Sequence, residues 1–559
     1  MANQLPPWLH PLPDAEAMRA IDRWAIDERG VPGLDLMERA GAGVTRALER
    51  LAPDGPVTVV CGKGNNGGDG LVVARLLRDS GRKVTVVCLS PPQELAGDAR
   101  RNLARLPGET PVRLSGERWP SAVEQAPPSG AASANVVIAA AAVVVDAVLG
   151  TGFQGEPRGV VAEAIEAINA SAAQVISVDV PSGVDASSGV VRGAAVHATL
   201  TVTFHVAKPG LWINPGKTHA GELQTIDIGI PRGAPSDATV GLIEPGVLEQ
   251  LPHRDAPSTK FTSGHVLVAG GSRGLTGAPR MAAEASMRAG AGYVTACVPA
   301  SLQSVLAGAG TPELMTRALP DDDGALSEEA VGEVLEASAR GGALALGPGL
   351  GRHQGSFAFA RALAAAAELP MVLDADGLNA HAGRLAELRA RRAATVLTPH
   401  AGELGRLLEL DSSEIERERM HHVRAAAEQS GAIVLLKGDD TLIAKPDGTV
   451  AVSPGGSPAL ATAGTGDVLS GVIAALLAQG LDAFTAAAAA VTLHAEAGRE
   501  AARRLGAAEG VIATDVIAAL PGARARAKRV RARGTRAARP RAAVGEHRGE
   551  AGDDQRGAA

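Results

Sequence analysis

The feature that most constrains the fold is a repeated alternation of short, almost wholly apolar runs with segments of helical periodicity. Runs of this kind include VTVVC at 57–61, VTVVCL at 84–89 and VISVDV at 175–180, and the pattern resumes after residue 260. Strands without a polar face must be covered on both sides, as in a parallel sheet flanked by helices. The chain is therefore predicted to be an α/β protein.

Domain organisation follows from length and local composition. A chain of 559 residues exceeds what one core usually holds. The Pro-rich, polar segment 233–260 interrupts the α/β pattern and is predicted to link domain 1–232 to domain 261–522. The arginine-rich residues 523–559 lack an apolar period and are predicted to form a disordered basic tail.

Composition excludes several classes of protein. The net charge of −7 argues against a nucleic-acid partner. The three cysteines lack metal-ligand or disulfide spacing, which is typical of a reducing compartment. The N-terminus lacks the order of a signal peptide, and no apolar run approaches the ~20 residues of a membrane span. We therefore expect a cytoplasmic protein with no membrane partner.

The stretch 457–480 predicts a phosphate-binding turn. Gly464, Thr465 and Gly466 are small residues that permit a tight bend, and Asp467 stands at the start of a helix predicted over 468–477. Unpaired N–H groups and the macrodipole at a helix start attract phosphate. A carboxylate beside phosphate is explained if it takes a proton from a hydroxyl undergoing phosphorylation. The alternative is that Asp467 only caps the helix.

Two further residues of the second half follow predicted strands. Lys437, in a Lys-Gly pair, would meet nucleotide phosphates as a point charge. His400, in LTPHAGEL, would contact a substrate, although a lone histidine at such a position is more often structural.

The loop GKGNNGGDG at 62–70 carries polar chemistry at the end of a predicted strand. It is not a Walker A loop, since no Gly-Lys-Ser/Thr follows the four-residue spacer, and its GxGxxG match is a weak signal. Asn65, Asn66 and Asp69 are more informative, because amide and carboxylate oxygens hold ribose hydroxyls or a hard cation. The alternative is a tight turn without a ligand.

Asp146 and the turn 179–183 are predicted to lie on neighbouring strand ends. Asn66, Asp146 and Ser182 together offer the all-oxygen set that a monovalent or other hard cation requires. Burial beside an apolar strand would raise the pKa of Asp179, as a general acid–base group needs. A carboxylate satisfied by turn amides is the alternative.

Motifs in both halves resemble one family. GLDLMERAG, GNNGGDG, DAVLGTGFQGE and VDVPSGVD, within 14–230, resemble the NAD(P)H-hydrate epimerase domain. GGSRGLTGAPRMAAEASMRAGAGYVT, GPGLG, DADGLN, LTPHAGE and AGTGD, within 245–520, resemble the NAD(P)H-hydrate dehydratase. The order is that of the bifunctional bacterial repair enzymes. The resemblance implies an N-terminal Rossmann-like three-layer sandwich and a C-terminal ribokinase-like three-layer sandwich.

The resemblance also implies an activity. Such enzymes interconvert the R and S hydrates of NADH and NADPH and dehydrate the S form at the expense of ADP. The same C-terminal fold and GTGD turn also suit a vitamin or sugar kinase, and the N-terminal half would then be a non-catalytic nucleotide-binding or scaffold domain. We expect small-molecule substrates and a homo-oligomer.

Site residues are carried over from the resemblance, with K⁺ in the epimerase, and with Mg²⁺ and ADP in the dehydratase. Asp179 and Asp467 are the expected catalytic residues, and Asn66, Asp146 and Ser182 the expected K⁺ ligands. The expected hydrate contacts in the epimerase are Asn65, Asn66, Gly67, Gly68, Asp69, Gly150, Thr151, Gly152, Phe153, Gln154, Gly155 and Asp179. The expected hydrate contacts in the dehydratase are Ala278, Gly349, His400 and Asp467. The expected nucleotide contacts are Lys437, Gly438, Asp439, Asp440, Thr441, Gly464, Thr465 and Gly466.

Two positions depart from the family pattern. Lys63 stands in the glycine-rich loop where an uncharged residue is expected. Asp439 and Asp440 follow Lys437-Gly438 where smaller residues are usual.

Overall fold

A computed structural model describes residues 5–113, 134–235, 237–309 and 311–537. Apolar β-branched runs form the strands of the first 230 residues, and amphipathic segments between them form helices. The strands are β1 (Leu9–Pro11), β2 (Val57–Cys61), β3 (Val84–Cys88), β4 (Val112–Arg113), β5 (Val143–Ala147), β6 (Gln174–Val178), β7 (Leu200–Phe204) and β8 (Glu222–Ile226). The helices are α1 (Ala15–Arg23), α2 (Gly33–Leu51), α3 (Asn65–Asp79), α4 (Gly97–Ala104), α5 (Ala134–Ala139), α6 (Val160–Ala170) and α7 (Gly216–Ala220), with a π-helix at Trp24–Glu28 and 3₁₀ turns at Pro92–Glu94 and Pro209–Leu211.

The rest of the described chain repeats the alternation. Its strands are β9 (Val240–Ile243), β10 (His265–Ala269), β11 (Tyr293–Pro299), β12 (Met315–Leu319), β13 (Asp321–Asp322), β14 (Ala325–Leu326), β15 (Ala343–Leu346), β16 (Met371–Leu373), β17 (Thr395–Leu397), β18 (Ile433–Leu436), β19 (Leu442–Ala444) and β20 (Val450–Val452). Its helices are α8 (Gly277–Arg288), α9 (Gln303–Ala309), α10 (Val331–Ser338), α11 (Gln354–Ala366), α12 (Asp376–Asn379), α13 (Ala401–Leu408), α14 (Ser412–Arg417), α15 (Arg419–Ser430), α16 (Thr465–Ala478), α17 (Ala483–Leu505) and α18 (Ala513–Ala537). Its 3₁₀ turns are Pro245–Gln250, Ala300–Leu302, Glu328–Ala330, Leu385–Ala390 and Pro458–Leu460.

Two large sheets organise these elements. The N-terminal sheet has the order β4-β3-β2-β5-β6-β7-β8, and all its pairs are parallel. The C-terminal sheet has the order β1-β9-β20-β19-β18-β17-β16-β15-β10-β11-β12. It is parallel from β18 through β12, whereas β18, β19 and β20 pair antiparallel. The predicted α/β class with two domains is confirmed.

Alternate residues of each strand enter different cores. Val266 and Val268 of β10 belong to the cluster on one face of the C-terminal sheet, and Leu267 and Ala269 belong to the cluster on the other. In the N-terminal sheet, the residues of β2 divide in the same way between two clusters. Each sheet is thus covered on both faces, which gives the predicted three layers and explains why the strands lack polar faces.

The predicted domain boundaries need correction. Residues 240–243, placed in the linker, form β9 and pair with β20 of the C-terminal sheet. Residues 9–11, placed in the first domain, form β1 and pair with β9, so they belong to the C-terminal sheet. Ile213 of the first domain is fully buried in a C-terminal core cluster. Strand pairing and apolar contacts therefore cross the boundaries that were predicted from the sequence.

The tail prediction is also corrected in part. Helix α18 runs through Ala537, so residues 523–537 are helical instead of disordered. Residues 538–559 of the predicted tail lie outside the described residues. Within the described ranges, no helix is both long enough and apolar enough to cross a bilayer. Cys61, Cys88 and Cys297 are buried and free, in agreement with their scattered spacing.

Candidate active sites

The first site is a cavity of about 830 Å³ at the carboxyl ends of β2, β5, β6 and β7, where parallel sheets place their ligands. Most of the epimerase residues expected from the resemblance line it: Asn65, Asn66, Asp69, Gly150, Thr151, Gly152, Phe153 and Asp179. Gln154 and Gly155 instead line a separate cavity of about 660 Å³ together with residues of the C-terminal domain. Gly67 and Gly68 are buried in the first turn of α3.

Close backbone approach explains the glycines of this loop. A Cβ on Gly67 would lie 2.0 Å from the carbonyl oxygen of Gly62, which is too close for any side chain. A Cβ on Gly150 would lie 3.2 Å from Asn66 Oδ1. The glycine-rich turn thus brings the first turn of α3 against the loop after β5.

Asp146 is a fully buried carboxylate at the end of β5 that organises the neighbouring turn. Its Oδ1 accepts the Ser182 hydroxyl at 2.5 Å, and its Oδ2 accepts the Ser177 hydroxyl at 2.8 Å and the Ser182 N–H at 2.9 Å. Ser182 Oγ also accepts the Leu149 N–H at 2.8 Å, and Asn66 Nδ2 donates to the Leu149 carbonyl at 2.8 Å. Asn66 and Ser182 therefore meet at Leu149, and Asp146 joins them through Ser182. The oxygen-bearing side chains of these three residues fit a hard cation.

Asp179 forms a buried ion pair that sequence reasoning did not foresee. Its Oδ1 lies 2.5 Å from Lys208 Nζ and accepts the Thr203 hydroxyl at 3.1 Å, while Oδ2 accepts the Thr151 hydroxyl. Burial alone would raise the pKa of Asp179, but the Lys208 charge and these hydrogen bonds outweigh it and lower the pKa. The expected raised pKa of Asp179 is therefore wrong, because an opposite charge shares its burial.

The second site surrounds Asp467 in the first turn of α16. Gly464, in the left-handed region at φ +88°, is the N-cap, and no side chain caps the helix. Asp467 therefore does not act as the cap, contrary to the alternative raised from the sequence. Burial raises the pKa of Asp467 to about 7; the carboxylates of Asp374 and Glu403 add to the rise and Lys437 opposes it. A carboxyl group with a pKa near neutrality therefore stands at the turn.

Lys437 joins the acids of this site. Its Nζ lies 3.1 Å from Asp374 Oδ1 and 3.6 Å from Glu403 Oε2, and 3.6 Å from the place a Cβ would take on Gly466. Burial alone would lower the pKa of Lys437, but the facing carboxylates outweigh this effect and raise the pKa, so the ammonium stays charged. Ser470 of α16 donates to Asp374 Oδ2 at 2.7 Å, which ties the cluster to the helix.

His400 is the N-cap of α13, which is the structural role that the sequence offered as the alternative to a substrate contact. Its Nδ1 accepts the backbone N–H of Gly402 at 3.0 Å and that of Glu403 at 3.3 Å, and Glu403 Oε2 accepts the backbone N–H of His400 at 2.9 Å. This is a capping box, so the structural role is real. Burial lowers the pKa of His400, and the acceptor role of Nδ1 places the proton on Nε2 of a half-exposed ring.

Both acids of the KGDDT turn form ion pairs within the protein. Asp440 is buried, and its Oδ2 lies 3.0 Å from Arg419 Nε and accepts the Asn214 N–H at 2.8 Å. Asp439 pairs with Lys217 of the N-terminal domain. Both carboxylates are thus neutralised by a cation of the protein, and the nucleotide contacts expected at these two positions stay a prediction.

The remaining C-terminal residues occupy small turns. The Thr441 hydroxyl donates to the Gly438 carbonyl at 2.7 Å, and that of Thr465 donates to two carbonyls of the preceding turn, each at 2.8 Å. A Cβ on Gly349 would lie 3.0 Å from Ala278 Cβ, so these two predicted hydrate contacts are neighbours. The structure brings Lys437, Gly466 and Asp467 together, whereas both threonine hydroxyls serve the backbone.

Sequence reasoning missed several charged residues at these sites. Lys208 and Asp22 line the N-terminal cavity, and Asp374 and Glu403 hold Lys437. Asp374 and Glu403 belong to the motifs DADGLN and LTPHAGE. Membership of these motifs was therefore the signal that could have identified the two residues.

Fold and site together define a two-site α/β enzyme. One domain presents a polar pocket with a buried ion pair, and the other presents a near-neutral carboxylate beside a lysine at a glycine-rich helix start. This class of protein combines a small-molecule site with a phosphoryl-handling site on one chain.

Comparison with known proteins identifies the family. Residues 33–210 match the model of the YjeF-related protein N-terminus, and residues 266–522 match that of NAD(P)H-hydrate dehydratase. The bifunctional NAD(P)H-hydrate repair enzyme of Moorella thermoacetica is 41% identical over 517 residues, covering 91% of this chain and 95% of that protein. That of Salinibacter ruber is 41% identical over 526 residues, with 91% and 95% covered. A crystal structure of the ADP/ATP-dependent NAD(P)H-hydrate dehydratase from Bacillus subtilis is 30% identical and covers 50% of this chain and 96% of that one, with a TM-score of 0.43.

The chain belongs to the family of bifunctional NAD(P)H-hydrate repair enzymes. The predicted enzyme class, an epimerase fused to a dehydratase, is confirmed. The alternative of a kinase fused to a scaffold domain is not supported, because relatives named as repair enzymes align along nearly their whole length.

Proposed function

We propose that the C-terminal site dehydrates the S hydrate of NADH or NADPH with ADP as phosphoryl donor, giving AMP and phosphate. The N-terminal cavity supplies that S hydrate by interconverting it with the R form. The observation that carries the proposal is Asp467, whose pKa of about 7 makes it a base at neutral pH beside Lys437.

Asp467 takes the proton of the C6 hydroxyl of the hydrate. It is suited to this because its carboxylate is not used in capping α16 and because a pKa near the working pH favours proton transfer. The hydroxyl oxygen then attacks the β-phosphorus of ADP, and the bond from that phosphorus to the AMP oxygen breaks.

The phosphoryl group makes a poor leaving group into a good one. Electrons of the ring nitrogen expel phosphate from C6, and loss of a proton from C5 restores the dihydropyridine. The N–H groups at the start of α16 and the Lys437 ammonium stabilise the charge on the transferring phosphate.

Mg²⁺ is proposed to enter with the nucleotide, since this ion is usually held by one or two carboxylates together with phosphate oxygens. Asp374 and Glu403 have the oxygen ligands that Mg²⁺ prefers and lie beside Lys437. The ion would neutralise phosphate charge during transfer.

K⁺ is proposed for the epimerase domain, held by the oxygens of Asn66, Asp146 and Ser182. The convergence of these residues around Leu149 supports the assignment. Bound there, the ion would order the loop 150–155 against the first turn of α3. The Asp179–Lys208 pair is proposed to contact the hydrate as a fixed pair of charges in the same cavity.

The test supplies mixed R and S hydrates and ADP to the whole chain and follows the absorbance of the reduced nicotinamide. Full recovery requires both activities, and recovery of only the S fraction means an inactive epimerase. A kinase would instead accumulate a phosphorylated product without recovery of absorbance. Repeating the assay with ATP, and in K⁺-free buffer, identifies the donor and the cation.

A further inference from the structure

The epimerase cavity holds more negative charge than its structure compensates. Asp22 from α1, Asp69 from α3 and Asp179 after β6 all line it, and Lys208 is the buried cation among them. Asp98, Arg19 and Lys63 also line the cavity, but Arg19 and Lys63 are exposed and Asp98 pairs with Arg101. The other three carboxylates therefore share one buried ammonium and cannot all remain ionised at low cost, since like charges disfavour the charged form. At least one of the acids is therefore expected to hold a proton.

Lys208 and Asp179 are not free to exchange that proton. Lys208 Nζ donates to Asp179 Oδ1 at 2.5 Å, to Thr203 Oγ1 at 2.9 Å and to the Phe204 carbonyl at 3.1 Å, which uses all three of its hydrogens. Both oxygens of Asp179 accept hydrogen bonds, and its pKa is lowered by Lys208 despite burial. Asp179 is thus a carboxylate held in its charged form.

Asp69 differs from Asp179 in its hydrogen bonds and in its pKa. No hydrogen bond from another described residue reaches its carboxylate, which lines the cavity from the first turns of α3. Burial raises the pKa of Asp69 well above its usual range, with the charges of Asp179 and Asp22 adding to the rise and Lys208 opposing it. Burial also raises the pKa of Asp22, but Asp69 is the acid whose pKa is raised well above its usual range, which favours its protonated form.

We propose that Asp69 is the catalytic proton carrier of the epimerase and that Asp22 is a positioning residue that keeps Asp69 in its acid form. The assignment rests on the proposed epimerase function of this cavity. It replaces Asp179, whose part is to fix Lys208 and the charge of the pocket.

A single carboxylic acid suffices if epimerisation proceeds by ring opening. Asp69 donates its proton to the ring nitrogen as the C6–N bond breaks, and its other oxygen accepts the proton of the C6 hydroxyl as C6=O forms. Rotation about C5–C6 presents the other face of the aldehyde. The nitrogen then reattacks C6 while the two proton transfers reverse, so Asp69 ends as it began and no other reactant is consumed.

The pH dependence has a definite sign. Because the protonated acid is the active form, the epimerase rate is expected to fall as the pH rises through the pKa of Asp69. The charged groups facing Asp69 in the cavity are Arg19 and Asp22 of α1, Lys63 of the preceding loop, Asp98 of α4, Asp179 and Lys208. Removing the charge of Asp22 lowers the pKa of Asp69 and should move this fall to lower pH.

The experiment measures epimerisation by the full-length chain as a function of pH, with the dehydratase activity on pure S hydrate as a folding control. Asp69→Asn is expected to lower kcat about 10²- to 10⁴-fold with little change in KM, the usual size of a lost acid–base group. The Asp22→Asn variant is expected to retain activity at low pH, and its rate should begin to fall at a lower pH than that of the parent. Asp79→Asn, at the exposed far end of α3, is the matched control and should match the parent.

Two results would overturn the inference. If Asp69→Asn raises KM and leaves kcat and the pH limb unchanged, Asp69 only binds the hydrate. If Asp22→Asn lowers the rate equally at all pH values, Asp22 has a structural role only. Loss of epimerisation in the parent chain itself, with dehydration intact, would instead refute the proposed function of the cavity.

Discussion

Arg419 Nε lies 3.0 Å from Asp440 Oδ2, and both side chains are about 1% exposed. Asp440 also accepts the backbone N–H of Asn214, so the pair joins α15, the turn after β18 and the N-terminal domain. Six residues before Asn214 stands Lys208, whose ammonium holds Asp179 in the other site. One short segment of the first domain therefore contacts both the N-terminal cavity and the turn after β18.

Removing the acid of this pair should destabilise the protein. Asp440→Ala leaves Arg419 buried and the Asn214 N–H without its acceptor, which typically costs about 3–5 kcal/mol. The lower end is expected, because Arg419 Nη1 still lies 2.6 Å from Glu416. The measurement is the shift of the thermal transition by calorimetry.

Asp439→Ala is the control for that prediction. Its pair with Lys217 is largely solvent-exposed on the Asp439 side, so its loss should change stability by about 0–1 kcal/mol. Equal effects of the two substitutions would show that burial of the Arg419 pair does not matter.

Asp467→Asn should abolish dehydration while sparing nucleotide binding. The amide cannot accept the hydroxyl proton, yet it keeps the shape of the side chain at the start of α16. The measurement combines turnover of S hydrate with nucleotide titration. Turnover within tenfold of the parent would rule out the role of base.

The dehydratase should gain activity as the pH rises through about 7. A base works in its ionised form, and the pKa of Asp467 is raised to about 7. The rate of S-hydrate dehydration at saturating ADP, measured from about pH 5.5 to 8.5, checks this. A rate independent of pH across that range would contradict the assignment. The epimerase rate is instead proposed to fall as the pH rises, so the pH profiles of the two activities should slope in opposite directions.

Lys208→Met should lower stability most at neutral pH. In the parent, the lowered pKa of Asp179 means that its ion pair stabilises the fold above the unfolded pKa of about 3.9 and is lost only as the pH falls further. Without Lys208, burial would raise the pKa of Asp179, so the variant regains stability as acid protonates it. The melting temperature of the variant should therefore differ less from that of the parent at about pH 4.5 than at about pH 7. A constant difference would argue against the charge pair.

Local signals predicted much of the fold. Asp14 stands directly before the amphipathic segment of α1 and caps it by accepting two backbone N–H groups. The tight turn predicted at Gly464 is also present, directly before α16. Capping, apolar periodicity and glycine placement act within a few residues, which is why they can be read from neighbouring positions.

The amino-acid sequence by itself determined the α/β alternation, the family motifs and the strand ends at which polar residues collect. Only the tertiary structure decided the partner of Asp179, the raised pKa of Asp467 and the placement of β1 and β9 in the C-terminal sheet. Lys208 is 29 residues from Asp179, and Lys437 is 63 residues from Asp374. A pKa depends on burial and on charges brought close in space, and neither quantity is encoded by spacing along the chain.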